Sequence, residues 1–188
     1  MKQEDPRYLL IEVAKILQKL KIPYIVTGGI AVLVWGRPRF TADIDIVVEL
    51  KSESIDSLTS SLLSLGKASY IDKNMIKDAL KHESEFNFIH GATGIKVDFW
   101  ILKKESFELS RIKRKVSKRI LGQNVYFISP EDLILSKLKW YQQTDSSRHI
   151  EDAESVLKIS GKKLDMSYLK QWAKKLKVSE ILNKLIKS

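Results

Sequence analysis

Three aspartates are the residues best suited to chemistry in this sequence. Asp43 and Asp45 stand two apart in an alternating polar and apolar segment, and Asp98 lies in the apolar segment 95–100. Residues two apart on a strand project from one face, about 6 to 7 Å apart, and Asp98 completes a triangle if its strand is adjacent. Three such carboxylates repel one another, and a divalent cation relieves that repulsion. We therefore predict a site for Mg²⁺, or Mn²⁺, with Asp43, Asp45 and Asp98 as its ligands.

Two adjacent glycines precede these carboxylates. Gly28 and Gly29 follow a short buried strand predicted at 23–27 and lead into a helix predicted at 30–35. A turn without side chains at the start of a helix lets phosphate oxygens reach backbone N–H groups at the positive end of the helix dipole. The glycines and the cation together predict a binding site for a nucleoside triphosphate.

The elements that must position these residues follow from hydrophobic periodicity and turn signals. The predicted strands lie at 23–27, 43–49, 84–89, 95–102, 116–121 and 124–128. The predicted helices lie at 6–20, 30–35 and 54–65 and, after the Ser129-Pro130 start signal, at 129–141, 147–159, 168–176 and 179–186. We therefore predict an α+β fold with a mixed or antiparallel sheet and flanking helices in residues 1–128, followed by a helical subdomain in residues 129–188.

Composition excludes several classes of protein. The 188 residues include no cysteine, so disulfides, a thiol nucleophile and cysteine-based zinc sites are excluded. The longest uncharged stretch, residues 22–36, is shorter than the roughly 18 to 20 residues of a membrane helix, and the first residues do not form a secretory signal. We expect a soluble cytoplasmic protein with no membrane partner.

The net charge of +10 favours a polyanionic partner such as a nucleotide or RNA. Eight basic residues lie between Lys103 and Arg119. This run has two interpretations, a surface for nucleic acid or an acidic partner, and a merely solvated face.

Further residues around the predicted site have two interpretations each. Arg39, in the loop before the metal-binding strand, and Lys137, on a later helix, are predicted nucleotide-binding residues because their charges suit a triphosphate. The alternatives are a solvated loop for Arg39 and an outward-reaching side chain for Lys137. Arg148 and Asp152, four apart on a helix, are interpreted as an intrahelical ion pair, with a functional role as the alternative. Thr41 is predicted to fix its turn by a local hydrogen bond.

These motifs resemble the nucleotidyltransferase fold of the polymerase-beta-like superfamily, and more narrowly the AbiEii-type abortive-infection nucleotidyltransferases. The resemblance spans nearly the whole chain. Many members have Gly-Ser where this chain has Gly28-Gly29, and we expect Gly29→Ser to be tolerated. The segments that carry the resemblance are Gly28-Gly29-Ile30-Ala31, Arg39-Phe40-Thr41-Ala42-Asp43-Ile44-Asp45, Pro130-Glu131-Asp132-Leu133-Ile134, Lys137-Leu138, Arg148 and Asp152.

The resemblance implies Mg²⁺-dependent transfer of a nucleoside monophosphate from a nucleoside triphosphate to an acceptor hydroxyl. Asp98 would complete the metal shell and help deprotonate the acceptor. The acceptor is open between RNA, a protein hydroxyl and a small antibiotic-like molecule. Such a protein could be the toxin of a toxin–antitoxin pair with an antitoxin partner. The alternative is a catalytically silent nucleotide sensor or interaction module of the same fold.

Overall fold

The computed structural model describes residues 5–187, which form six β-strands and nine α-helices. The strands are β1 (Tyr24–Val26), β2 (Asp43–Val48), β3 (Glu85–Ile89), β4 (Lys96–Ile101), β5 (Val116–Ile120) and β6 (Gln123–Phe127). The helices are α1 (Pro6–Lys19), α2 (Gly28–Trp35), α3 (Ile55–Leu63), α4 (Lys73–His82), α5 (Ser106–Lys113), α6 (Pro130–Thr144), α7 (Ser147–Ser160), α8 (Met166–Lys175) and α9 (Ser179–Lys187). Within these residues, no helix is both long enough and apolar enough to span a bilayer.

The chain divides into two compact units. The first contains residues 5–30 and Thr41–Phe127, and the second contains Ala31–Phe40 and residues 128–187. The division falls inside α2. The segment Ala31–Phe40 belongs with the C-terminal helices, a grouping that no pattern in the sequence indicated.

The first unit is built on one mixed sheet with the strand order β3-β4-β2-β1-β6-β5. The pairs β2/β4 and β1/β6 are parallel, and the other neighbouring strands are antiparallel. The predicted α+β fold with a mixed sheet is confirmed. Because β1 and β2 run antiparallel, the end of β1 lies beside the start of β2, so the chain enters α2 next to the first residues of β2.

Strand alternation gives this sheet one apolar face. Ile44 and Ile46 on β2, with Val97 and Phe99 on β4, are fully buried, while the residues between them are polar or only half-buried. Burial of side chains of this size stabilises the fold by about 1.5 to 3 kcal/mol each. The opposite face of the same strands therefore carries the polar side chains.

Two helices of the first unit were not predicted from the sequence. Helix α4 buries only Ile76 and Ala79, and its start is fixed by Asp72, whose side chain accepts hydrogen bonds from the N–H groups of Asn74 and Met75. Helix α5 lies inside the basic run and has few apolar residues. Helix α4 has an apolar stripe at Met75, Ile76, Ala79 and Leu80 that was missed in the prediction from sequence, while α5 has no such regular stripe.

The second unit is helical after residue 128, as predicted. The side chain of Ser129 accepts a hydrogen bond from the N–H of Asp132, which fixes the predicted start of α6. The segment Ala31–Phe40 is held by long-range hydrogen bonds. The indole N–H of Trp35 donates to the carbonyl of Ile128, and the hydroxyl of Ser160 donates to the carbonyl of Trp35.

Candidate active site

The three predicted aspartates lie on one face of two adjacent strands. Strands β2 and β4 are parallel neighbours, with Asp45 opposite Asp98 and Asp43 opposite Lys96. Paired residues on neighbouring strands project from the same face, and neighbouring strands lie about 4.8 Å apart. All three aspartates are half-buried. The structure therefore places Asp43, Asp45 and Asp98 on the same face, near the start of β2 and β4.

Because Gly28 has no side chain, the Asp45 carboxylate lies close to the start of helix α2. Its φ of +59° is a left-handed conformation that favours glycine, and a Cβ built there would lie 1.8 Å from Oδ2 of Asp45. The neighbouring N–H of Thr27 donates to the carbonyl of Asp45 over 2.9 Å. The first N–H groups of a helix have no partner within the helix, so they can donate to an anion. The absence of a side chain at Gly28 thus lets the Asp45 carboxylate lie directly against the start of α2.

Gly29 is constrained by a different neighbour. A Cβ at this position would lie 2.3 Å from Oγ1 and 2.8 Å from Cβ of Thr41. The Thr41 hydroxyl donates a long hydrogen bond of 3.4 Å to the carbonyl of Asp43, in agreement with the local role predicted for it. The expectation that Gly29→Ser is tolerated is wrong for this backbone, because Thr41 already fills the space that the serine side chain needs.

Lys96 is a member of this face that sequence reasoning missed. Its Nζ lies 2.9 Å from Oδ2 of Asp98. The hydrogen bond with Asp98 raises the pKa of Lys96, and the charges of Asp98, Asp43 and Glu85 raise it further. Because Lys96 stands two residues before Asp98 in an alternating strand, the same period-2 rule that grouped Asp43 with Asp45 could have found it.

Glu85 on the edge strand β3 adds a fourth carboxylate nearby. Desolvation raises the pKa of Glu85, and the negative charges of Asp98 and Asp45 raise it too, against the opposite effect of Lys96. The site thus has an excess of negative charge, which favours binding of a cation.

The residues of this face fit a divalent cation. In the part of the chain that the structure describes, no three Asp, Glu, His or Cys side chains lie so that they could hold a metal ion together. Mg²⁺, however, is commonly held by one or two carboxylates while substrate phosphates and water complete its shell. Asp43 and Asp45 supply that pair, and Gly28 lets the Asp45 carboxylate lie against the start of α2. Asp98 as a third ligand stays a prediction, since its carboxylate contacts Lys96.

The predicted phosphate contacts Arg39 and Lys137 belong to the second unit, where both bind Asp152. Arg39 donates to Asp152 through Nε and Nη2 over 2.7 and 2.8 Å, and Nζ of Lys137 lies 2.8 Å from Oδ2. Asp152 is 3% exposed. Its burial raises the pKa of the carboxyl, but the hydrogen bonds from Arg39 and Lys137 outweigh that effect, so the pKa lies below its ordinary value.

This cluster corrects one prediction. Asp152 pairs with Arg39 and Lys137 and not with Arg148, which is exposed, so the predicted intrahelical ion pair between Arg148 and Asp152 is wrong. A contact of Arg39 or Lys137 with a nucleotide stays a prediction.

This arrangement has the features of the nucleotidyltransferase fold. A helix that begins with glycines lies beside a strand with Asp-x-Asp, and a further Asp lies on the adjacent parallel strand. The chain belongs to the family described as "Nucleotidyltransferase of unknown function (DUF6036)", whose sequence pattern matches residues 9–185. The predicted superfamily is thereby confirmed, while closeness to the AbiEii-type branch stays a prediction. A search of curated proteins gave no significant match.

Solved structures share the fold at low sequence identity. An antigenic nucleotidyltransferase-like protein from Paracoccidioides brasiliensis is 20% identical, with a TM-score of 0.55 over 94% of this chain and 91% of that one. The antibiotic-resistance factor ANT(2'')-Ia in solution is 13% identical, with a TM-score of 0.59 over 95% and 97% of the two chains. A crystal structure of ANT(2'')-Ia in complex with adenylyl-2''-tobramycin is 15% identical, with a TM-score of 0.57 over 95% and 98%.

Proposed function

We propose that this protein transfers a nucleoside monophosphate from a nucleoside triphosphate to an acceptor hydroxyl, with Mg²⁺ or Mn²⁺ as its cofactor. The observation that carries the proposal is the placement of Asp43, Asp45 and Asp98 on one face of adjacent strands, beside the glycine-led start of α2. Phosphoryl transfer depends on positioning and on neutralisation of charge, so carboxylates, a cation and backbone donors suffice without a covalent nucleophile.

Each residue has a defined task in the proposed reaction. Asp43 and Asp45 hold the cation, and the backbone N–H groups at Gly28 and Gly29 donate to the β- and γ-phosphates. The cation, when bound, neutralises charge on the triphosphate. Asp98 accepts the proton of the acceptor hydroxyl. The acceptor oxygen bonds to the α-phosphorus while the bond from that phosphorus to its bridging oxygen breaks, and pyrophosphate leaves.

The acceptor class is the finer part of the proposal. ANT(2'')-Ia, which shares the fold, has been solved with adenylyl-2''-tobramycin, an adenylylated small molecule. This supports including small hydroxylated compounds among the acceptors to be tested, together with RNA and protein hydroxyls. A toxin role predicts that expression of the parent protein arrests growth, and that Asp43→Asn removes the arrest.

Calorimetric titration with Mg²⁺ and ATP tests the cation site. We expect Asp43→Asn and Asp45→Asn to lose Mg²⁺-dependent ATP binding while keeping the fold, since removing one of several like charges relieves repulsion. Asp78→Asn is the matched control, because Asp78 lies on the surface of α4 and its change removes the same charge. Unchanged affinity in both site variants would refute the assignment of Asp43 and Asp45.

Single-turnover release of pyrophosphate separates an enzyme from a silent sensor. We expect Asp98→Asn to bind ATP like the parent but to release pyrophosphate about 10² to 10⁴ times more slowly, the usual contribution of a general base. Equal rates would remove Asp98 from the mechanism. ATP binding without release from the parent, across RNA, protein and small-molecule acceptors, would favour the nucleotide sensor.

A further inference from the structure

We infer that Lys96 is the resident counter-ion of the carboxylate face and competes with the divalent cation for it. The Lys96 ammonium pairs with Asp98 when the cation is absent, and binding of the cation weakens that pair. This inference rests on the proposed function, and it assigns to Lys96 a positioning role that the reaction scheme above does not include.

The register of the strands places Lys96 among the acidic residues. Lys96 is opposite Asp43 on β2 and two residues from Asp98 on its own strand, so all three side chains project from the same face. On the other side, Asp98 is opposite the neutral Asn87 of β3, and Glu85 lies further along that strand. Lys96 is therefore a positively charged residue on a face where the other charged residues of β2, β3 and β4 are carboxylates.

The side chains of Asp98 and Lys96 differ in their exposure to solvent. The Asp98 side chain is 15% exposed and the Lys96 side chain is 40% exposed, with 2.9 Å between Nζ and Oδ2. The ammonium thus covers a more buried carboxylate from the solvent side. A lysine side chain is a flexible stem with a point charge, so it can leave this position without disturbing the strand.

A divalent cation at Asp43 and Asp45 would bind directly beside this ammonium, because Lys96 is opposite Asp43 and Asp98 is opposite Asp45. The two positive groups therefore repel each other across the same acidic face. Linkage requires that each weakens the binding of the other. Cation binding and the Lys96–Asp98 pair are therefore energetically coupled, and each is weaker in the presence of the other.

Binding of Mn²⁺ alone, followed by electron paramagnetic resonance of the free ion, tests the inference without any turnover. We expect Lys96→Met to bind Mn²⁺ about tenfold more tightly than the parent, the effect of removing one positive charge about 6 Å from a divalent ion in a water-like dielectric. Lys104→Met is the charge-matched control, because Lys104 is exposed and lies beyond the opposite end of β4. Equal or weaker affinity for Lys96→Met than for Lys104→Met would overturn the inference.

Thermal unfolding in chelator provides a second readout. We expect Lys96→Met to unfold at a lower temperature than Lys104→Met without metal, since the carboxylates then repel one another uncompensated. Added Mn²⁺ should raise its unfolding temperature by more than it raises that of the control. If Lys96→Met does not fold, Lys96→Gln replaces it, and Lys96→Arg should keep the parent's affinity.

The outcomes separate this inference from the proposed function. If Asp43→Asn and Asp45→Asn lose Mn²⁺ binding while Lys96→Met behaves like Lys104→Met, the competition is wrong and the cation site stands. If the parent binds no Mn²⁺ alone but binds ATP with Mg²⁺, the competition is wrong and the proposed function stands; if it binds neither Mn²⁺ alone nor ATP with Mg²⁺, the cation site is wrong as well.

Discussion

The contact between Gly29 and Thr41 leads to a prediction about stability. Whether Gly29→Ala stabilises or destabilises the protein should depend on the residue at position 41. A Cβ at Gly29 would lie 2.3 Å from Oγ1 and 2.8 Å from Cβ of Thr41, closer than side-chain atoms approach one another. Overfilling a packed site of this kind costs about 1 to 3 kcal/mol. Gly29 has no left-handed φ, so the backbone itself does not oppose alanine. Alanine in place of glycine within a helix instead gains up to about 1 kcal/mol.

These two effects oppose each other in the parent protein. We expect Gly29→Ala to destabilise the parent by roughly 1 kcal/mol, because the overlap with Thr41 exceeds the gain in helix propensity. In a Thr41→Gly background the overlap is gone, and the same change should stabilise the protein by up to about 1 kcal/mol. The coupling energy between the two positions is then about 1 to 3 kcal/mol.

Urea unfolding of the parent, both single variants and the double variant measures this coupling as a double-mutant cycle. Gly29→Ala in a Thr41→Ser background is the control, because serine keeps the Cβ and the hydroxyl with which the new side chain would overlap. Additive free energies, or a stabilising Gly29→Ala in the parent, would refute the steric reasoning. Titration of the same variants with ATP and Mg²⁺ then shows whether the start of α2 must stay free of side chains for the nucleotide.

Three further predictions concern the rest of the structure. Gly28→Ala should destabilise the protein by at least about 1 kcal/mol and abolish ATP binding, since its φ is +59° and the Cβ would overlap the Asp45 carboxylate; urea unfolding and calorimetry check both effects. Asp152→Asn should cost about 3 kcal/mol in urea unfolding, because it leaves Arg39 and the buried Lys137 without their anion. The lowered pKa of Asp152 implies that its stabilisation is complete above the unfolded pKa of about 3.9 and is lost as the pH falls through the folded pKa. Urea unfolding between pH 6 and 2 should therefore show a steeper acid loss in the parent than in Asp152→Asn, and parallel curves would contradict the shift.

The sequence by itself determined the carboxylate face. Strand periodicity requires that Asp43 and Asp45 share a side, and it applies equally to Lys96 and Asp98. Two glycines directly after a short apolar strand predicted a tight turn into a helix. These features depend on neighbours a few residues apart, whose geometry is fixed by the backbone alone. The helix starting at Ser129 was predictable for the same reason, because its cap is local.

Other features depended on pairings that no local pattern encodes. The sequence gives no sign that β4 pairs with β2 in the register that sets Asp98 beside Asp45, or that Thr41 faces Gly29. Helix α5 forms although its sequence lacks a clear apolar stripe, because a few buried residues and long-range packing suffice to hold it.

The cluster at Asp152 shows why tertiary structure decides such details. Arg39 and Asp152 are 113 residues apart, yet they form a two-fold hydrogen-bonded pair, while Arg148, only four residues away on the same helix, does not take part. An exposed pair within one helix contributes only a few tenths of a kcal/mol. A carboxylate that becomes buried requires partners wherever the fold can supply them, because an uncompensated buried charge costs several kcal/mol. Which carboxylate is buried, and which cations reach it, is fixed only once the chain has folded.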